Sequence, residues 1–200
     1  MHAVTDWQVD IITMSFGFFD ETERGCAELR DAILHAHASR VLMFAAASNV
    51  GAHGTTPTFP ARLSNVFCIY AGDGMGNCAR TNPTARRHLH NFLTLGEAVQ
   101  SAWPKALCEE PWTKRKSGTS FATPIAAGIA AFLLLYARQT LPWEEAQKFK
   151  EHDKMRDWLF HVSNERNGYN VLSVNSFFQR TPEERRMLME NLLEGRPWKT

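Results

Sequence analysis

Among the 200 residues there is no uninterrupted apolar run of the roughly 18 residues that a membrane span needs. The most apolar stretch, residues 126–136, is too short for that and reads as a buried helix, so no membrane association is expected. No basic segment precedes an apolar core in the opening MHAVTDWQVDIITMSFGFFD, which is the wrong pattern for a signal peptide. Cysteine is sparse: Cys26, Cys68, Cys78 and Cys108 form no CxxC pair, and no histidine stands at finger-like spacing from them. That excludes a zinc finger or a disulfide scaffold and reads as buried free thiols, with the cytoplasm as the expected location. No metal and no other cofactor is implied. The formal net charge is only +1, which excludes a nucleic-acid binder working through bulk positive charge. Internal repeats and low-complexity tracts are absent.

What is present is enough apolar residue, 44% of the chain, to bury one sizeable core. VDIITMSFGF (residues 9–18) is an apolar run that reads as a buried strand entering a loop. In ETERGCAELRDAILHAHASR, Cys26, Leu29, Ile33, Leu34 and Ala36 recur at helical spacing, with charges opposite. VLMFAAA (41–47) and VFCIYAG (66–72) are apolar on both faces, as central parallel strands are. Shorter strands are expected at 92–95 and 98–101, and a long helix opens near Ser120. Strand, helix and strand in this order predict an α/β fold built on a mostly parallel sheet. In such sheets sites lie beyond the carboxyl ends of the strands, where Ser15, Phe16 and Gly17 and, after the next strand, Ser48 and Asn49 fall.

Beyond Gln139 the chain turns charged. LPWEEAQKFKEHDKMRDWLFHVSNERNGYNVL reads as helical, and TPEERRMLMENLLEG opens with a Thr cap and Pro182 at the first helical position. The expected division is a main domain over residues 1–140 and a helical C-terminal extension over 141–200, the latter a surface on which a partner-binding role is also open.

KSGTSFATPIAAGIAAFLLLYARQ (116–139) places Gly118, Thr119 and Ser120 at the mouth of an apolar helix. A glycine admits the close approach of another backbone, and a helix N-terminus offers unpaired N–H groups to an oxyanion, an arrangement suited to acyl transfer. Gly-Thr-Ser ahead of a helix also reads as an N-cap, the commoner use of these residues.

The wider segment SGTSFATPIAAGIAA resembles the serine motif of the subtilisin-like (subtilase) serine peptidases, G-T-S-x-A-[ST]-P followed by a small-residue helix. VDIITMSFGF is similar to that family's substrate-cleft strand, and VLMFAAASNVG to the strand carrying its oxyanion asparagine, with Ser48 where the family usually has Gly. FPARLSNVFCIYAGD and FLTLGEAVQSAWP resemble the two segments that follow, Leu95 replacing a usual Pro. The resemblance runs over about residues 7–138. It implies a three-layer α/β/α subtilisin-like fold and a serine endopeptidase acting on polypeptide. Ser120 is then the nucleophile, Asn49 the oxyanion donor, and Ser15, Phe16 and Gly17, with Gly118 and Thr119, the substrate-binding residues.

The same family carries its aspartate and histidine motifs before the cleft strand, and neither motif is present in this chain. His53-Gly54-Thr55 reads as the histidine motif but runs into Pro57, which would disrupt the helix that motif opens. His35 and His37 fall on the amphipathic helix, His88 and His90 in a basic loop with Arg86 and Arg87, and His152 and His161 in the tail. The expectation is therefore a domain truncated at its front, with little peptidase activity as an isolated chain. Two readings accommodate that: a part of a longer active peptidase, whose missing N-terminal segment supplies the base, or a pseudo-peptidase that binds peptides without cleaving them.

Overall fold

Two neighbouring strands with no polar face require cover on both sides. They are β2 (Leu42–Ala46) and β3 (Phe67–Gly72), buried along their whole length. The computed structural model describes residues 2–51, 56–86 and 90–196. Alternation along the strands divides the core in two: Leu42, Phe44, Phe67, Ile69 and Ala71 face one layer, Met43, Ala45, Cys68 and Tyr70 the other. The first layer is roofed by α3 (Thr119–Thr140), the second by α2 (Cys26–Ala38).

β1 (Ile11–Met14) pairs in parallel with β2 and forms one edge of the sheet, while β3 pairs in parallel with β4 (Phe92–Leu95). A short helix, α1 (His2–Thr5), precedes β1. This is the mostly parallel α/β sheet that the sequence pattern predicts, in the three-layer arrangement that the resemblance implies.

α3 is packed on β1, β2, β3 and β4 through a stripe of Ala122, Ala126, Ala130, Leu133, Leu134 and Ala137, each at most 2% exposed. Small residues at four-residue spacing let the helix lie close on the sheet. Its length and composition would let α3 cross a membrane, but its apolar stripe faces the strands. Pro124 is the sixth residue of α3 and lies inside it; its missing N–H leaves the Ser120 carbonyl without a helical donor, and Ser15 Oγ donates to that carbonyl instead at 2.9 Å.

The segment after Leu141 is largely helical, with α4 (Trp143–Lys148) and α5 (His152–His161) followed, further on, by α6 (Asn175–Phe178) and α7 (Pro182–Glu194). Helix α7 carries the expected cap: Thr181 Oγ1 accepts from the Glu184 amide while the Glu184 carboxylate accepts from the Thr181 amide. Yet the segment is no peripheral appendage. Between α5 and α6 the chain forms β7 (Ser163–Arg166) and β8 (Tyr169–Leu172), and β8 pairs in parallel with β4, extending the six-stranded sheet. The turn is Asn167-Gly168, both at positive φ (52° and 80°), the pairing favoured by a two-residue hairpin. Phe149, Met155, Trp158 and Leu159 are fully buried in the same cluster as α3.

An ion-pair triad joins these parts. Asp10, just before β1, contacts Arg138 at 2.6 Å and Lys150 at 2.9 Å. Burial alone would push the Asp10 carboxyl up, but the hydrogen bonds and charges of Arg138 and Lys150 outweigh it and hold it below its ordinary range.

A second, two-stranded sheet pairs β5 (Val99–Ala102) with β6 (Thr113–Lys116), a hairpin rooted immediately before α3. Of the cysteines, Cys26 and Cys68 are buried as expected, Cys78 is exposed and Cys108 is half-buried; all are free thiols. Burial pushes the Cys68 thiol up to about 11, so it is inert at neutral pH.

Candidate active site

Parallel strands deliver their carboxyl ends to one edge of the sheet, and that geometry gathers the nominated residues. Ser15 follows β1, Asn49 lies three residues beyond β2, and Ser120 lies in the first turn of α3. Together with Phe16, Gly17 and Thr119 they line an open cleft of about 220 Å³. Larger cavities, of about 440 and 610 Å³, lie at the amino ends of the strands, away from these residues. Gly118 is buried behind the cleft.

The start of α3 is not capped by its own residues. No side chain of Gly118-Thr119-Ser120 caps the helix. Instead Asn49 Oδ1 accepts from the Thr119 amide at 2.8 Å and from Thr119 Oγ1 at 3.2 Å. The local N-cap reading of these residues therefore gives way to a cap supplied from the β2 loop. Because both bonds end on Oδ1, the amide's other end, Nδ2, is left as a free donor. Asn49 itself is exposed. By helix geometry the Ser120 amide, in the first turn, has no intrahelical acceptor, so a second donor stands at the same helix mouth.

Gly118 makes this contact possible. Its φ is 143°, a region disfavoured for side-chain-bearing residues, and a methyl group there would stand 3.1 Å from the Asn49 amide. Its amide donates to Gly96 O at 2.8 Å, fixing the approach to the helix.

Ser48, where the resemblance predicts glycine, is buried with φ at 151°. It occupies glycine's conformation with a side chain attached, which stores backbone strain next to Asn49.

On the other wall Ser15 and Ser120 exchange hydrogen bonds. Ser15 Oγ donates to Ser120 O at 2.9 Å, and Ser120 Oγ donates to Ser15 O at 3.3 Å. Gly17 is held against Thr58, whose Oγ1 and Cβ a side chain at 17 would strike. The adjoining Phe18–Phe59 bridge pins this segment by two backbone bonds of 2.8 and 3.0 Å. Neither Thr58 nor this bridge is legible in the sequence, since they join segments some forty residues apart.

Among the described residues, none lining the cleft has an acid or imidazole side chain. His35 and His37 lie on α2, and the exposed His2–Asp6 pair on α1 and just after it. His90 precedes β4, and His152 and His161 mark the ends of α5; burial lowers all three and keeps them neutral at pH 7. The His53-Gly54-Thr55 tripeptide and His88 lie outside the described residues. Among the described residues no cluster of His, Cys, Asp or Glu is arranged to hold a metal ion.

Comparison with known proteins follows the same lines. The pattern of the subtilase family matches residues 1–178. The subtilisin-like protease het-Q2 of Podospora anserina is 29% identical over 156 residues, covering 76% of this chain and 40% of that protein. Subtilisin DY of Bacillus licheniformis is 31% identical over 128 residues, 63% of this chain and 43% of that one. The solved structure of the prenylagaramide maturation protease PagA superposes with a TM-score of 0.67 at 25% identity, over 98% of this chain and 66% of that one. The chain thus spans less than half the length of the curated relatives it matches. A parallel sheet under an alanine-striped helix, a serine in that helix's first turn and an asparagine capping it from the next loop accompany a family match over most of the sequence: the chain belongs to the subtilase family of serine peptidases.

Proposed function

We propose that this chain carries the nucleophile side of a subtilase endopeptidase site acting on polypeptide. Ser120 is the nucleophile. Asn49 Nδ2, with the Ser120 amide, receives the oxyanion of the tetrahedral intermediate. The exposed segment Ser15, Phe16 and Gly17 pairs with the backbone of an extended substrate as an added strand. Gly118 and Thr119 hold the helix mouth and the Asn49 amide in place. The observation that carries this reading is the pair of bonds from Thr119 to Asn49 Oδ1, which leave a donor beside the serine.

The base comes from a segment outside these 200 residues, since neither the aspartate motif nor the histidine motif of the family is in the sequence. The Ser120 hydroxyl is donated to a carbonyl, and among the described residues no acid or imidazole in the cleft accepts its proton. A serine hydroxyl without a positioned base is a poor nucleophile, and in subtilisin, a member of the same family, losing the catalytic histidine costs roughly a millionfold in turnover. The isolated 200-residue chain is accordingly proposed to have little or no peptidase activity.

The same closed hydroxyl favours a second reading, a peptide-binding module that does not cleave. The two are separated by treating the gene product, purified from its own cells, with a fluorophosphonate. Stoichiometric labelling that disappears in Ser120→Ala supports the peptidase. Peptide binding without labelling supports the binding module.

A further inference from the structure

At the end of the sheet opposite Ser120, the amino ends of β3 and β4 border a cavity of about 440 Å³, within the usual range for small-molecule pockets. Among the described residues its lining holds Arg62, Arg86 and Arg156 with His90 and His152, and no acidic residue. One wall is aromatic. His152 stacks on Phe67 with ring centres 4.3 Å apart, Phe67 meets Phe92 at 6.1 Å, and His90 lies 5.9 Å from Phe92. Burial keeps both imidazoles neutral at pH 7, so the positive charge of the lining is guanidinium charge.

The three arginines differ in what they already hold. Arg62 pairs with Glu21 at 2.5 Å, and Arg156 with Asp153 at 2.7 Å and Asp157 at 3.0 Å. The ion pairs among the described residues include Arg62 and Arg156 but not Arg86. Its Nη1 reaches the Arg62 carbonyl at 3.5 Å, a long bond, and its Nε is buried without a partner. An adjoining cavity shares Ser64, His152 and Arg156 with the first, and it is lined by Asn65, whose Nδ2 is a second buried donor without a partner. Buried donors without acceptors are unfavourable; the orphan in the first cavity is Arg86 Nε, while that of Asn65 belongs to the adjoining cavity, whose lining also holds Glu151 and Asp153.

We infer that this cavity is a ligand site for a phosphate ester carrying a flat ring. The Arg86 guanidinium, with Arg156 beside it, takes the phosphate through the planar donor fork that suits phosphate oxygens. The His152, Phe67 and Phe92 wall takes the ring. The site is independent of Ser120 and of whether the chain cleaves peptides.

Titration calorimetry of the folded chain with adenosine monophosphate, inorganic phosphate and adenosine tests this. The expected result is saturable binding of the monophosphate, with phosphate alone and adenosine alone each at least tenfold weaker. Arg86→Gln weakens the monophosphate at least tenfold with an unchanged thermal melt; should that variant fail to fold, Arg156→Gln is expected to weaken it at least threefold. Absence of saturable binding to folded wild type, binding of adenosine or phosphate as tight as the monophosphate, or indifference to the folded variants would overturn the assignment.

Discussion

Asn49 and Thr119, seventy positions apart, are joined by two hydrogen bonds that end on one oxygen, at 2.8 and 3.2 Å. One contact thus caps the helix that bears Ser120 and aims the asparagine's N–H₂ group at the cleft. Capping and the proposed oxyanion donation are separable by a single substitution. Asn49→Asp keeps an acceptor for the Thr119 amide and adds a negative charge at a helix N-terminus, so its melting temperature is expected to match or exceed wild type. In a catalytically complete protein the same change removes the donor and should lower turnover about 10²–10³-fold. A variant that is as stable as wild type and turns over as fast would show that the residue serves the cap alone.

Ser48 holds a glycine's backbone conformation, with φ at 151°. Ser48→Gly relieves that strain while slightly raising unfolded-state entropy, and a net gain of about 1 kcal/mol is expected in denaturant unfolding. A loss of stability would mean that the buried hydroxyl contributes more than the backbone conformation costs.

Trp158 tests whether the segment after Leu141 belongs to the main core. It is fully buried, 4.4 Å centre to centre from Phe149 and 5.7 Å from Phe177. Trp158→Ala is expected to destabilise the whole chain in one transition by about 3–5 kcal/mol. Trp158→Phe should cost less, since it keeps a ring and removes an N–H that has no partner. A separate early transition confined to the tail would instead mark 141–200 as an independent unit.

Asp10 links β1 to Arg138 and Lys150, and those bonds depress its carboxyl. A depressed carboxyl adds stability that is present above its unfolded value, about 3.9, and is lost as pH falls through the folded value. Asp10→Asn should therefore cost about 1–2 kcal/mol at pH 7, with the gap to wild type closing below about pH 4 in urea titrations. A gap that is constant with pH would assign the effect to packing.

The parts of this molecule legible in its sequence are those set by local pattern. The unbroken apolar run at 41–47 specifies a strand covered on both faces, and the four-residue recurrence of alanines after Ser120 specifies a helix lying flat on it. The Thr181 capping box is equally plain. Pairing at a distance is not. β7 is polar and exposed as an outer strand of the sheet, so SNER carries no strand periodicity, although Asn167-Gly168 is a hairpin signal in its own right. The segment at 98–101 reads as a strand, and Val99–Ala102 is one, but its partner is Thr113–Lys116, a run of charge that no apolar periodicity announces. In the site, Ser120, Asn49 and Gly118 follow from motif, whereas the Ser15–Ser120 exchange and the support of Gly17 by Thr58 exist only once the loops are folded together.

The central claim is that Ser120 stands in a prepared cleft without its base. The most direct test is fluorophosphonate treatment of the folded 200-residue chain at neutral pH, read by intact mass beside Ser120→Ala. The account predicts no adduct on either protein. A stoichiometric adduct on wild type that is absent from Ser120→Ala would mean that a base within this chain reaches the serine, and would contradict it.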